Sequence, residues 1–254
     1  MTLISRKTLL SAAALMALTS APAMAQDSVF SDAQKEALGP LIEEYLLNNP
    51  SVILKSLEMD RSRQREELQK QAEMKIADNI EALANSDAPT IGNPDGDITV
   101  VEFFDYNCGY CKRALPDVQA ALESDDNLKV VFKEMPILGP SSRTAALWAL
   151  AAHKQDKYFE YHVALMEHKG AKDDAVFENI AKDLALDLEQ MRKDIESDEI
   201  KEELDGVLKM AREIGVSGTP AFIVGTTFIP GYIGEEGLKA AIAAERKKNE
   251  ANGG

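Results

Sequence analysis

Cysteine is almost missing from these 254 residues, with Cys108 and Cys111 the only two. Histidine is nearly as scarce, at His153, His162 and His168. A closed zinc site wants four ligands, and no histidine stands in a short metal-binding spacing with the two cysteines, so half a zinc site fits the pair poorly. Positive charge is short as well, with 28 Lys and Arg against 43 Asp and Glu and a formal net charge of −15. A chain this acidic is not expected to bind nucleic acid or anionic membrane surfaces nonspecifically. No apolar stretch approaches the roughly 20 residues that a permanent membrane span needs. There is no low-complexity tract and no internal repeat.

What cysteine there is comes as Cys108-Gly109-Tyr110-Cys111, just after the strand-like run Ile98–Phe104. A structural disulfide works mainly by closing a long loop, and a loop holding only Gly109 and Tyr110 restricts the unfolded chain very little. Two thiols at this spacing, at the end of a strand and the start of a helix, can instead close a reversible disulfide. The helix N-terminus favours the thiolate of the first. The pattern therefore predicts redox chemistry at sulfur.

The chain begins with Arg6 and Lys7, an apolar stretch and Ala23-Met24-Ala25, which reads residues 1–25 as a secretory signal. Export to a bacterial periplasm is the expected destination, where thiols are held oxidised or reduced by dedicated partners.

Residues 26–88 read as a charged helical extension. Leu38, Leu41, Ile42, Tyr45 and Leu46 share one helical face behind a cap at Ser31 or Asp32. Gly39-Pro40 is expected to kink or divide that helix, and Asn49-Pro50 to end it. A second helix follows, with Leu68, Ala72, Ile76, Ile80 and Leu83 apolar along its later part. So thin a stripe must pack on the rest of the chain or on copies of itself, and self-association through residues 31–85 is the sharper expectation.

The turn-rich stretches 86–89 and 92–97 mark a boundary at the start of residues 89–254. After strand Ile98–Phe104 and the cysteines come a helix near 114–122, a strand at 128–132 and an almost wholly helical stretch 140–215 that contains the lone Trp148, a packing residue. Its clearest helix has Ile200, Leu204, Val207, Leu208, Ala211 and Ile214 on one face and Gly215 as its C-terminal cap. Strands at Ala221–Val224 and 227–229 and a helix at 234–247 follow, then a frayed polar tail. This order is that of an α/β thioredoxin fold with a helical insertion at about 140–215, preceded by an α-helical extension.

At this point the sequence resembles the DsbA-like family of thioredoxin-fold proteins over residues 98–247. The likeness rests on Val101-Glu102-Phe103-Phe104-Asp105-Tyr106-Asn107-Cys108-Gly109-Tyr110-Cys111-Lys112 and on Val216-Ser217-Gly218-Thr219-Pro220-Ala221-Phe222. The extension and the Gly-Tyr dipeptide are most similar to the ScsC-type branch, which includes oligomeric disulfide isomerases and proteins linked to copper tolerance. The resemblance implies that Thr219-Pro220 is a cis-proline loop opposite the cysteines, offering backbone groups to an extended substrate. The reading from residues alone leaves an ordinary trans proline at the start of a strand. Gly109 and Tyr110 are the other expected substrate contacts.

Cys108 is the expected nucleophile, exposed at the helix start, and Cys111 the more buried resolving thiol. Glu102 matches the position where relatives bury a carboxylate under the cysteines, able to take the Cys111 proton. The alternative is a solvent-facing glutamate on an edge strand. Lys133 reads as a surface lysine. Gly-Tyr lacks the positive charge of a Pro-His dipeptide, which predicts a milder oxidant, and threonine before the proline resembles isomerases.

The leading expectation is a periplasmic thiol-disulfide oxidoreductase leaning to isomerase or reductase. Its partners would be unfolded or misdisulfided exported proteins and a membrane redox partner, and it calls for no cofactor and no bound metal. Two alternatives stand beside it: a monomeric DsbA-like oxidase, and a Cu(I)-binding protein using the two soft thiolates.

Overall fold

The computed structural model describes residues 30–84 and 87–252. The secretory signal expected at residues 1–25 lies outside the described residues. The chain falls into two units that divide between Met59 and Asp60.

The first unit holds α1 (Asp32–Asn48) and the opening turns of α2 (Pro50–Asp78). Ser31 and Gln34 form a reciprocal cap: Ser31 Oγ accepts from the Gln34 N–H, and Gln34 Oε1 accepts from the Ser31 N–H at 2.8 Å. Pro40 was expected to kink or divide α1. The helix is not divided there: it runs through Pro40, giving up the one backbone hydrogen bond that proline cannot donate. It stops at Asn49, whose side-chain amide bonds the Tyr45 carbonyl at 2.9 Å, and Pro50 opens the next helix where its missing N–H costs nothing. No α1 residue is buried, and Leu41, Ile42 and Tyr45 all stand exposed.

The second unit is built on a five-stranded sheet, preceded by α3 (Ile80–Ala84). Its strands are β1 (Thr90–Gly92), β2 (Ile98–Phe104), β3 (Leu128–Glu134), β4 (Ala221–Val224) and β5 (Thr227–Pro230), in the order β1-β3-β2-β4-β5. Only the β2–β3 pair is parallel. β1 falls within the boundary region, where the sequence suggested no strand. It is three residues long, and it ends at Gly92 (φ +83°), where an added Cβ would sit 2.3 Å from the Leu128 carbonyl oxygen.

Between and after the strands come α4 (Gly109–Ser124), α5 (Pro140–His153), α6 (Tyr158–Glu167), α7 (Asp174–Asp183), α8 (Leu188–Asp194), α9 (Asp198–Ile214) and α10 (Gly234–Asn252). α9 closes on Gly215 in the left-handed conformation, φ +85°. α10 runs five residues past the point where the sequence suggested a frayed tail. Arg246 forks onto Asp97 and bonds Asp125, while buried Glu245 accepts from Thr227 and Lys248, so the last turns are tied to the sheet.

Alternation along β2 sends side chains to two cores. Val100 and Phe104 join α4, α10 and the helices of the insertion. Val101 and Phe103 meet Ala211 and Ile214 of α9 together with Ile76 and Leu83, both fully buried. The end of α2 and all of α3 thus belong to the second unit. Two lysines of β3 fasten them, Lys129 Nζ donating to the Ala84 carbonyl at 2.7 Å and Lys133 Nζ to the Ala82 carbonyl at 3.5 Å. Cations suit these orphan carbonyls at a helix C-terminus. Lys133 is therefore not the surface residue the sequence suggested. It is buried beneath α3, and burial pulls it down to about 8 while the Glu203 carboxylate opposes that shift.

Leu83→Ala is expected to lower the unfolding free energy by about 2–5 kcal/mol in urea titrations. Met74→Ala, on an exposed position of α2, should change it by no more than about 0.5 kcal/mol. A chain beginning at Asp60 should fold cooperatively; one beginning at Asp87, stripped of Ile76 and Leu83, should not.

Candidate active site

The turn between β2 and α4 is fixed by a single carboxylate. Asp105 Oδ1 accepts from the Asn107 N–H (2.7 Å) and Ser142 Oγ (2.8 Å), and Oδ2 from the N–H groups of Ile137 (2.8 Å) and Leu138 (2.9 Å). Asn107 Nδ2 donates in turn to the hydroxyls of Ser141 and Ser142. The Asp105 carbonyl receives the Cys108 N–H at 3.0 Å, which sets Cys108 as the residue capping α4. The free N–H groups of the first helical turn gather at that end.

Both cysteines are free thiols. Cys108 was expected to be exposed, but only 7% of it is accessible. The loop before β4 folds over it, and its sulfur lies 3.2 Å from the Thr219 carbonyl oxygen. The Thr219–Pro220 bond is cis. Cys111, one turn further along α4, is 1% exposed. Burial pushes its thiol well up, a hydrogen bond from the Asp105 backbone opposes that, and the negative charge of Glu102 adds to it.

Glu102 lies on β2 between β3 and β4, with Phe132 and Phe222 as its cross-strand neighbours. That is a central strand, and the carboxyl is buried. Burial pushes it up to about 8, and the Cys108 sulfur adds a smaller Coulombic push. Gly109 has open space where a side chain would be. Tyr110 stands out into solvent, with the Arg113 guanidinium 5.2 Å from its ring centre and the Tyr232 ring 6.0 Å away. The structure thus brings together Glu102, Cys108, Gly109, Tyr110, Cys111, Thr219 and Pro220.

Several residues here were not singled out by sequence reasoning. Asp105 was quoted within the motif, but its partners on the 137–142 segment left no local mark. A buried network sits behind the turn: the Tyr106 and Tyr158 hydroxyls both donate to Glu134 Oε1, at 3.0 and 2.8 Å, and Tyr106 Oη lies 3.2 Å from His162 Nδ1. Burial holds His162 neutral by pulling it down to about 3, and pushes Glu134 well up. Ile137, Leu138, Tyr232 and Ile233 are exposed apolar side chains on the segments around Cys108. An adjacent apolar pair in each of two loops, Ile137-Leu138 and Tyr232-Ile233, was the available signal. Among the described residues no cluster of three or more His, Cys, Asp or Glu is placed to hold a metal ion.

Residues 99–243 match the model of the DSBA-like thioredoxin domain. Among solved structures, a thioredoxin-like oxidoreductase of Silicibacter pomeroyi DSS-3 is 42% identical with a TM-score of 0.64, covering 66% of this chain and 97% of its own. A linker-deletion variant of Proteus mirabilis ScsC is 27% identical with a TM-score of 0.66, covering 87% of this chain and 99% of its own. Disulfide bond formation protein D of Bacillus subtilis is 26% identical over 174 residues, 63% of this chain and 77% of that protein. An Na(+)/H(+) antiporter NhaA 1 of Salinispora arenicola is 33% identical over 159 residues, 60% of this chain. The chain spans only about a quarter of that antiporter, 24% of its length. A buried cysteine pair at a strand-to-helix turn, capped by a proline loop on a thioredoxin sheet, joins these comparisons to one conclusion: the chain belongs to the DsbA-like thioredoxin domain family.

Proposed function

We propose that this chain is a thiol-disulfide oxidoreductase that acts in the periplasm on disulfides of exported proteins, chiefly as an isomerase or reductase. The observation that carries the reading is the Cys108 sulfur, 3.2 Å from the Thr219 carbonyl, with Cys111 one turn deeper. Cys108 as thiolate attacks one sulfur of a client disulfide, forming a mixed disulfide and releasing the other client sulfur as thiolate. A second client thiolate can then attack the client's own sulfur, which frees Cys108 and completes an isomerisation with no net oxidation. Alternatively Cys111 attacks Cys108, releasing the client reduced by two electrons and leaving the protein oxidised. Cys111 must lose its proton for that step. Glu102, at about 8 and electrostatically coupled to Cys111, is the acceptor in this proposal.

Thr219 and Pro220, with Gly109 and Tyr110, are assigned to the client backbone and side chains near the attacked sulfur. The exposed Ile137, Leu138, Tyr232 and Ile233 suit an unfolded client, whose apolar side chains are accessible. The first unit is assigned to self-association, because Leu41, Ile42, Tyr45 and Leu47 of α1 all stand in solvent. The likeness to ScsC supports this. It extends over 87% of the chain, against 68% for the catalytic domain of ScsC alone. A periplasmic thioredoxin-like protein of Salmonella enterica among the similar structures supports the compartment. Among the described residues no helix is long and apolar enough to cross a membrane. The oxidase direction stands as the second reading, favoured by the Bacillus protein's name.

The deciding experiment compares the reduced full chain with a version beginning at Asp60 on a scrambled multi-disulfide substrate. Reactivation by the full chain, lost in the shorter one, is the expected outcome. If neither reactivates it while both oxidise reduced substrate when themselves oxidised, the isomerase reading falls. Cys108→Ser should abolish turnover, and Cys111→Ser should accumulate mixed disulfides visible on nonreducing gels.

Glu102 also gives a pH signature. Its folded value, about 8, exceeds the ordinary 4.5, so its contribution to stability is complete below about pH 4.5 and is lost as pH rises to about 8. The loss has an upper limit of roughly 5 kcal/mol. Urea midpoints of the reduced protein should therefore fall from pH 5 to pH 9, and those of Glu102→Gln should fall less.

A further inference from the structure

A groove of about 330 Å³ runs between the later turns of α2 and the edge strand β5. Phe228, Ile214 and Ala72 line it, and Leu68 forms a wall that is 65% exposed. Its only charged lining residues are Arg65 and Lys75. Among the described residues neither forms an ion pair, although acidic residues outnumber basic ones by 43 to 28. At Gly215, Phe228 and Pro230 the groove opens into a second hollow of about 210 Å³, bounded by Thr219, Pro220 and Gly231. Thr219, whose carbonyl faces the Cys108 sulfur, is thus one of the residues that line that hollow.

We infer that this channel seats the stretch of client chain beside the attacked cysteine and favours an apolar residue flanked by Asp or Glu. The inference rests on the reading of Cys108 as the residue that attacks clients. An extended segment leaving the sulfur past Thr219 meets Pro230 and Phe228 next. It does not add to the sheet there, because Gln69 Nε2 of α2 already reaches the Phe228 carbonyl at 3.4 Å. The segment is held by its side chains: an apolar one covers Leu68 and Phe228, removing both from water, and acidic neighbours meet Arg65 and Lys75. The protein's overall negative charge does not cancel this, since screening at physiological salt limits exposed charges to about 8 Å.

Peptides carrying one cysteine in a mixed disulfide with glutathione test the idea. They would bear Phe flanked by Glu, or Phe flanked by Lys, placed either before or after the cysteine. The reduced full chain should reduce the better-placed acidic peptide with a kcat/KM about tenfold above its basic counterpart, since the first gains two exposed ion pairs and the second meets two like charges. Arg65→Glu with Lys75→Glu should erase or invert that preference while leaving the rate with glutathione disulfide unchanged. Equal rates for acidic and basic peptides, or a preference that survives the double substitution, overturns the inference. So does a double variant that changes only the sedimentation of the protein, which would give the groove to a second copy of the chain. Failure of the wild type with glutathione disulfide would instead remove the cysteine chemistry itself.

Discussion

The Asp105 carboxylate is the constraint on which the site depends. A carboxylate has about four lone-pair positions, and here four donors fill them: three backbone N–H groups and one hydroxyl. The donors come from the turn itself, from the 137–138 segment and from α5, so one side chain fixes three parts of the fold relative to one another. Removing it would leave buried donors without partners, at roughly 1–3 kcal/mol for each one stranded. Because the Asp105 carbonyl also receives the Cys108 N–H, the position of the sulfur follows from that same residue.

Three residues earlier on the same segment, Glu102 is buried to a similar degree under opposite conditions. Its neighbours across the strands are Phe132 and Phe222, and burial is the largest influence on it. A buried carboxyl rich in donors is structural, because its oxygens are taken up in holding the chain around it. One poor in donors keeps its proton near neutral pH and can exchange it. Cys111 shares that apolar setting, and burial shifts it in the same direction. Burial thus disfavours the charged form of both groups, and more strongly that of the thiol. Glu134 is an intermediate case: two tyrosine hydroxyls bond it, yet burial still dominates.

What was legible in the sequence is what repeats or contrasts locally. The cysteine pair after an apolar run, the alternation in β2 and the face of α9 ending in Gly215 all express short-range rules, and the fold class followed from their order. Three of the four partners of Asp105 did not show, because they lie 32, 33 and 37 residues away and belong to a segment with no period of its own. β1 was missed because three residues are too few to show alternation. Lys133 misled for a related reason: a lysine in a strand suggests solvent unless a helix end is known to lie above it. Tyr106, Glu134, Tyr158 and His162 come from three segments, and only folding makes them one network.

The apolar residues of α2 change role along its length, and that change bears on the extension. Near its start Val52, Ile53, Leu54 and Leu57 are exposed, while near its end Ala72 and Ile76 are buried in the second unit. An isolated helix the length of α1 is marginal in water, and most helical stability in proteins comes from packing an apolar face. Within the first unit α1 buries no residue at all. The ordering cost of its 17 residues has no matching burial in that unit. In the proposed self-association a copy of the same face would supply it, since that face presents the same apolar side chains. In the proposed assembly that burial would also raise the local concentration of active sites around one bound client, so a disulfide released by one Cys108 would lie within reach of the next.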